Sequence, residues 1–111
     1  MKRDEFARNL AAGTYDLIVL DVLRDGPSYG YGIRQRIFEQ SKHTINWQDG
    51  TIYPVLRHLE KLGLIASSWT RPKKGHERRY YRLTERGQRA WREQRRQWNA
   101  FTRAVNALLS Q

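Results

Sequence analysis

The sequence predicts a mainly α-helical domain that contains a two-stranded β hairpin and ends in one long helix. Apolar residues recur at helical spacing in the segments before residue 63. The spacing then changes to two over residues 65–83, which is typical of paired strands. Beyond residue 84, large apolar residues recur every seven positions, which indicates a helix that packs against another helix. The length of 111 residues suits one domain.

The first helices are short and are separated by turn residues. Residues 1–12 predict an amphipathic N-terminal helix that the following glycine ends. Thr14 is placed to cap the next helix, and the Asp-Gly-Pro sequence at 25–27 ends it. Ser28 is the next predicted cap, for a helix whose apolar stripe includes Ile33 and Ile37.

The third helix has the clearest apolar pattern. Its predicted N-cap is Asp49 and its predicted C-cap is Gly63. We expect one face of this helix to lie in the core, with Ile52, Leu56, Leu59 and Leu62. Pro54 lies about one turn inside this segment, which predicts an irregular first turn or a later start.

A β hairpin with a basic turn follows the third helix. One face of its first strand is predicted to carry Ile65, Ser67, Trp69 and Arg71, and one face of its second strand Arg79, Tyr81 and Leu83. The segment from Arg71 to Arg79 contains five Arg or Lys residues and one acid. Such a two-stranded ribbon is marginally stable alone, so we expect it to pack on the helices.

The last helix is predicted to begin after a Thr84 cap and to run nearly to Ser110. Its seven-residue repeats predict a helix–helix interface. The predicted interface residues are Trp91, Trp98, Phe101, Val105 and Leu108. Six arginines occupy the other faces, where solvated charge is the simplest interpretation.

Charge is the first indication of function. The chain carries a formal net charge of +10, and residues 63–111 hold 12 basic residues against 3 acids. Arginine outnumbers lysine sixteen to five, and its planar group suits contacts with phosphates and guanine edges. This pattern favours a nucleic-acid-binding protein, with a solvated or membrane-surface face as the alternative.

Several function classes are disfavoured by the sequence. It contains no cysteine, which excludes disulfides and thiolate chemistry, and its three histidines lack metal-ligand spacing. No nucleophile–base pair, P-loop or dinucleotide motif is present, so we expect neither an enzyme nor a cofactor. The N-terminus does not lead into an apolar signal segment and no run reaches membrane-span length, which predicts a cytoplasmic protein.

Three helices followed by a basic hairpin is the element order of a winged helix-turn-helix. In that fold a helix enters the major groove of DNA while the wing contacts adjacent phosphates. The start of the third helix carries polar groups suited to DNA, on Gln48, Thr51, Tyr53 and Arg57. The basic hairpin is then the wing.

Four motifs in order resemble the PadR family of bacterial transcriptional regulators. They are YGYGI at 29–33, GTIYPVL at 50–56, LEKLGLI at 59–65 and RRYYRLTERG at 78–87. The resemblance spans about residues 14–90. It implies a winged helix-turn-helix homodimer that usually represses transcription, with a domain at 1–83 and a dimerisation helix at 84–111. It also implies that Pro54 belongs to the recognition helix.

The resemblance assigns further residues to DNA binding. Gly50, Thr51 and Tyr53 match the start of the family's recognition helix, and Lys73, Lys74, Gly75 and Arg79 match its wing. The complete predicted DNA-binding set is Gln48, Gly50, Thr51, Tyr53, Arg57, Lys73, Lys74, Gly75, His76, Arg78 and Arg79. We expect this dimer to bind a pseudo-palindromic operator, in the bacterial cytoplasm at the nucleoid.

Two alternatives stay open at this stage. Trp91 and Trp98 are explained by dimer packing alone, because indole rings bury large areas. The resemblance adds a second hypothesis, in which a flat aromatic effector stacks on one or both rings. The alternative function is a winged-helix adaptor that binds RNA or protein without operator specificity.

Overall fold

The computed structural model of the protein describes residues 14–70, 75 and 77–111. The elements in chain order are α1 (Tyr15–Leu23), β1 (Ser28–Tyr29), α2 (Gly30–Gln40), α3 (Asp49–Lys61), β2 (Ile65–Thr70), β3 (Arg78–Leu83) and α4 (Glu85–Leu109). The N-terminal helix predicted at residues 1–12 lies outside the described residues. So do Lys73, Lys74 and His76 of the predicted wing.

Helices α1, α2 and α3 share one apolar core, because each presents an apolar stripe to the others. Ile52, Leu56 and Leu59 of α3 are wholly buried, as predicted. The expectation for Leu62 is wrong, since its side chain is 42% exposed. Leu62 is the C-cap of α3 and precedes Gly63, whose φ of +76° turns the chain away from the helix axis. The other buried apolar residues are Val19, Leu20, Val22, Leu23, Ile33, Ile37, Trp47, Leu64, Ile65 and Tyr81.

The predicted hairpin is present and gains a third, very short strand. The antiparallel sheet has the order β1-β3-β2. Ile65 pairs with Leu83, Ser67 with Tyr81 and Trp69 with Arg79, so the predicted faces are confirmed for these residues. Arg71, also predicted on this face, lies outside the described residues. Ser28 lies in β1 opposite Tyr81 and does not cap α2.

Ser28 is buried, and its hydroxyl lies close to Gly32. A Cβ atom at position 32 would come within 2.4 Å of the Ser28 Oγ. The residue that precedes α2 as N-cap is Tyr29, which has extended backbone geometry. The prediction of a Ser28 cap is therefore wrong, because Ser28 is paired with β3 as part of strand β1.

Helix α3 begins one residue earlier than its predicted cap implies. Gln48 is the N-cap and Asp49 is the first helical residue. The helix continues through Pro54 to Lys61, so neither an irregular first turn nor a later start is needed. Proline removes the amide that would bond to the carbonyl of Gly50, and both residues are exposed, so water can replace that bond.

Helix α4 begins where the sequence predicts. The Thr84 Oγ1 accepts a hydrogen bond from the Gly87 amide at 3.0 Å and donates one to the Gly63 carbonyl at 2.7 Å. A Cβ atom on Gly87 would lie only 1.9 Å from the carbonyl oxygen of Leu64. Thr84 and Gly87 therefore fix the start of α4 against the junction of α3 and β2.

The 25 residues of α4 span about 37 Å, and most of them are exposed. None of the helices in the described part of the chain has the length and apolarity needed to cross a lipid bilayer.

Candidate nucleic-acid interface

A tight turn between α2 and α3 sets the direction of the predicted recognition helix. Lys42 and His43 adopt left-handed backbone geometry, with φ of 55° and 66°. The Ser41 Oγ accepts a hydrogen bond from the Ile45 amide at 2.9 Å, and the rings of Phe38 and His43 stack with centroids 4.7 Å apart. These local contacts hold the turn that orients α3 relative to α2.

Helix α3 and its N-cap expose four of the five DNA-binding residues predicted there. Gln48, Gly50, Tyr53 and Arg57 are exposed, and Thr51 is half-buried. The structure thus places these five residues at the N-cap and along the first nine residues of α3.

Gly50 is surrounded by open space. A Cβ atom built there would meet no atom of the described chain within 4 Å, and its φ lies outside the left-handed region. Neither crowding nor backbone strain in the described structure requires a glycine at this position. A close approach by a binding partner would require one.

The position of the Tyr53 ring depends on Gly30. A Cβ atom on Gly30 would lie 2.6 Å from the Tyr53 hydroxyl oxygen, so the missing side chain leaves room for the ring. Close packing against Tyr53 therefore explains the glycine at position 30. Tyr53 remains 38% exposed.

Arg34 of α2 is a charged residue that the sequence analysis missed. Its guanidinium forms an ion pair with Asp49, whose side chain is 72% exposed at the start of α3. The pair neutralises the acid on the face that carries the predicted DNA-binding residues. An acid at this end also complements the helix dipole of α3.

The sheet and α3 enclose a cleft of about 410 Å³. Its walls combine aromatic rings with arginines, and its lining includes Tyr29, Tyr53, Arg57, Trp69, Arg78 and Arg79. The guanidinium carbon of Arg78 lies 4.5 Å from the centre of the Tyr29 ring. Tyr29 and Trp69 were not predicted as site residues, because only the sheet register brings them to α3.

Arg78 and Arg79 differ in their surroundings although they are adjacent and both exposed. The Arg79 Nη2 lies 3.0 Å from the Glu60 Oε1. Its Nε donates to the Ser67 Oγ at 2.8 Å, and that hydroxyl donates to Glu60 in turn. Burial raises the pKa of the neighbouring Tyr81 phenol above its usual range, against a smaller lowering by the Arg79 charge.

The described part of the wing includes Gly75, which is exposed and has a φ of +109°. This geometry suits the predicted turn residue, because glycine adopts positive φ without a steric penalty.

Trp91 of α4 contacts its own domain. Its indole N–H donates to the Asp21 carboxylate at 2.9 Å. The guanidinium groups of Arg24 and Arg95 lie 4.1 Å and 5.4 Å from the ring centre. These contacts fix the base of α4 against α1.

Trp98 and the residues after it face outward in the single chain. Trp98 is 42% exposed, Phe101 62% and Leu108 70%, whereas Val105 is half-buried. Trp98 also borders a groove of about 440 Å³ between α1, α2 and α4, with an apolar wall that includes Leu17, Ile18, Val22 and Ile37. The dimer and effector roles of these residues stay predictions.

The described residues contain no group of three or more His, Cys, Asp or Glu side chains that could hold a metal ion.

Comparisons with known proteins point to one family. The model of the Transcriptional regulator PadR-like family matches residues 19–93. The transcriptional regulator Rv3488 of Mycobacterium tuberculosis is 36% identical over 89 residues, which cover 80% of this chain and 79% of that protein.

Solved structures agree with this match. A PadR family transcriptional regulator from Eggerthella lenta is 36% identical and superposes with a TM-score of 0.79, covering 96% of this chain and 90% of that one. A transcriptional regulator from Clostridium thermocellum is 29% identical and has a TM-score of 0.82, covering 89% and 96%. The predicted winged-helix fold class is confirmed by these neighbours.

Proposed function

Because the chain belongs to the PadR-like family of transcriptional regulators and not to a family of enzymes, we propose that it binds a pseudo-palindromic operator as a homodimer and represses transcription. It acts in the bacterial cytoplasm, at the nucleoid. Two copies of α3 and two wings meet half-sites about one helical turn apart, roughly 34–36 Å.

The observation that carries this proposal is the shared cleft of α3 and the sheet. Tyr53 and Arg57 come from the exposed face of α3, Arg78 comes from β3, and all three line the same cleft. In a winged helix-turn-helix these two elements contact the major groove and the adjacent backbone of one DNA segment. We predict that Gln48 and Thr51 at the start of α3 recognise the DNA sequence, because their amide and hydroxyl groups can form hydrogen bonds with base edges.

Phosphate neutralisation supplies most of the affinity, since the C-terminal half of the chain carries most of the excess positive charge. Binding therefore weakens steeply as salt rises. Arg78 of the wing and the lysines predicted at its tip position the protein on the backbone, and contacts to base edges supply specificity.

The test is fluorescence anisotropy with two labelled duplexes, the DNA upstream of the protein's own gene and a scrambled sequence of the same composition. We expect the upstream duplex to bind at least about a thousandfold tighter at physiological salt, which is within the usual gap between specific and nonspecific binding. Equal, salt-sensitive binding of both duplexes would contradict autoregulation. Failure of both at low salt, or preference for RNA of the same sequence, would favour the adaptor alternative.

The dimer is proposed to form through α4. Exposed aromatic and aliphatic side chains such as Phe101 and Leu108 support it, because a helix that leaves such residues in water gains stability by covering them. Phe101→Glu should give a monomer in light scattering and lose operator binding. The control, Arg96→Glu, changes a charge on the same helix and should remain dimeric. A dimeric Phe101→Glu variant would place the interface elsewhere.

An aromatic effector is proposed to bind beside Trp98. The groove of about 440 Å³ next to its indole falls within the usual size of a small-molecule site. Trp91 is less available, since Asp21 and Arg24 already engage its ring. A ligand here would change operator affinity only if it binds one arrangement of the two winged-helix domains of the dimer better than another.

The effector proposal is tested with a panel of planar aromatic compounds and quenching of tryptophan fluorescence. Trp98→Ala should abolish quenching and lower affinity for the compound. Trp91→Phe is the matched control, because it also removes one indole but leaves the groove wall intact. If Trp98→Ala binds and responds unchanged, stacking on this ring is wrong.

A further inference from the structure

A closed set of three polar side chains joins the end of α3 to the two long strands of the sheet. Glu60 lies in the last turns of α3, Ser67 lies in β2, and Arg79 lies in β3. Each contacts the other two, through the Arg79–Glu60 pair at 3.0 Å, the Arg79–Ser67 bond at 2.8 Å and the Ser67–Glu60 bond. We call this set the wing brace.

We propose that Arg79 is a positioning residue that holds the wing at a fixed distance from the recognition helix through Glu60 and Ser67, and not a phosphate contact. The inference rests on the proposed function, because it concerns how the same surface meets DNA. It changes the role that the family resemblance implied for Arg79.

The geometry of the guanidinium supports this role. An arginine has a rigid planar fork, and here the fork is divided between two elements, with Nη2 on the carboxylate of α3 and Nε on the hydroxyl of β2. The side chain also lies near two rings, since its guanidinium carbon is 5.9 Å from the centre of Trp69 and 5.8 Å from that of Tyr81. A group bound on two sides in this way is fixed before DNA arrives.

The charges lead to the same inference. Glu60 is an acid on the same helix that presents Tyr53 and Arg57, where an unpaired carboxylate would repel phosphates. Pairing with Arg79 neutralises that carboxylate. The neighbouring Arg78 lies over the Tyr29 ring and lines the cleft between α3 and the sheet. We therefore assign the phosphate contact on β3 to Arg78.

The two roles predict opposite effects of Glu60→Gln on DNA binding. If Glu60 acts only as a charge near DNA, its removal tightens binding. If Glu60 holds the brace, its removal lets the wing move and weakens binding. Arg79→Lys separates the roles as well, because lysine keeps the charge that a phosphate needs but cannot bond to Glu60 and Ser67 with one planar fork.

The experiment measures binding of a labelled 30-base-pair duplex selected from a random library by the wild-type protein. We expect Glu60→Gln and Arg79→Lys each to weaken binding by about tenfold, the scale of one charge-assisted hydrogen bond. The control Arg82→Lys changes an exposed arginine of the same strand outside the predicted site and should stay near wild type. Arg79→Gln should leave the slope of log K against log salt unchanged, whereas Arg78→Gln should reduce it by about 1. Tighter binding by Glu60→Gln, wild-type binding by Arg79→Lys, or a reduced slope for Arg79→Gln would each overturn the brace.

Failure of the proposed function has a different signature. If the wild-type protein enriches no sequence from the library, DNA recognition itself fails and the positioning role falls with it. Thermal unfolding of the DNA-free protein still reports the contact. Glu60→Gln, Arg79→Gln and the double variant should then show non-additive melting shifts. The Tm of the double variant should be no lower than that of the less stable single variant.

Discussion

Replacing Thr84 by alanine tests how α4 is joined to the end of α3. The Thr84 hydroxyl accepts from the Gly87 amide and donates to the Gly63 carbonyl. Losing an N-cap side chain costs about 1 kcal/mol. The Gly63 carbonyl is only half-buried and regains water, so its lost bond adds about 1 kcal/mol. The expected destabilisation of Thr84→Ala is therefore about 2 kcal/mol.

This loss converts into a measurable melting shift. At about 2.1 cal/mol/K per residue, 111 residues give an unfolding entropy of about 0.23 kcal/mol/K. A destabilisation of about 2 kcal/mol then lowers Tm by roughly 9 °C. Circular dichroism should be recorded at one fixed protein concentration, since the proposed dimer would make Tm depend on concentration. Thr84→Ser keeps the hydroxyl and should melt near wild type. Equal shifts for the alanine and serine variants, or none for alanine, would refute the cap.

Three other variants test separate parts of the structure. Gly50→Ala should have a Tm at or above that of the wild type, because nothing lies near the added Cβ and alanine favours a helix. The same variant should weaken operator binding in anisotropy. Unchanged affinity would contradict a close approach of DNA to Gly50. Gly87→Ala should cost about 3 kcal/mol in urea unfolding, since its Cβ would meet backbone, and a wild-type midpoint would contradict this. Trp91→Phe loses the indole N–H bond to α1 and should cost about 1 kcal/mol in the same assay, with no loss as the opposing result.

Alkaline titration tests the buried Tyr81. Burial raises the pKa of its phenol in the folded protein above the unfolded value of about 10. Above that pH the unfolded chain releases this proton while the folded chain keeps it, so stability falls as pH rises through the folded pKa. Tyr81→Phe should lose this contribution and show a shallower decline of Tm above pH 10. An identical decline in both proteins would show that this phenol is not the cause.

Local signals explain why much of the fold could be predicted from the sequence. The cap at Thr84 depends on residues within four positions, and the core face of α3 depends on helical spacing alone. The burial of Leu62 was wrongly predicted, because periodicity does not show at which residue the helix ends. Strand β1 has only two residues, which is too short to give an alternating pattern.

The candidate site was predicted in part for the same reason. The exposed residues of α3 follow from the side opposite its core face. Pairs that join distant positions gave no local signal, such as Arg34 with Asp49 and Glu60 with Arg79, which are 15 and 19 residues apart. Trp91 was assigned by its heptad spacing, but spacing does not distinguish contact with another helix of the same chain from contact with a partner.

We propose above all that α3 and the wing together bind DNA. The most direct measurement is amide chemical-shift mapping by ¹H–¹⁵N NMR, with titration of the selected duplex into the labelled protein. We expect the largest shifts at residues 48–57 and 75–79, with small shifts in the second half of α4. Shifts confined to the arginine-rich faces of α4 would contradict it, because they would indicate a general polyanion contact in place of a winged-helix interface.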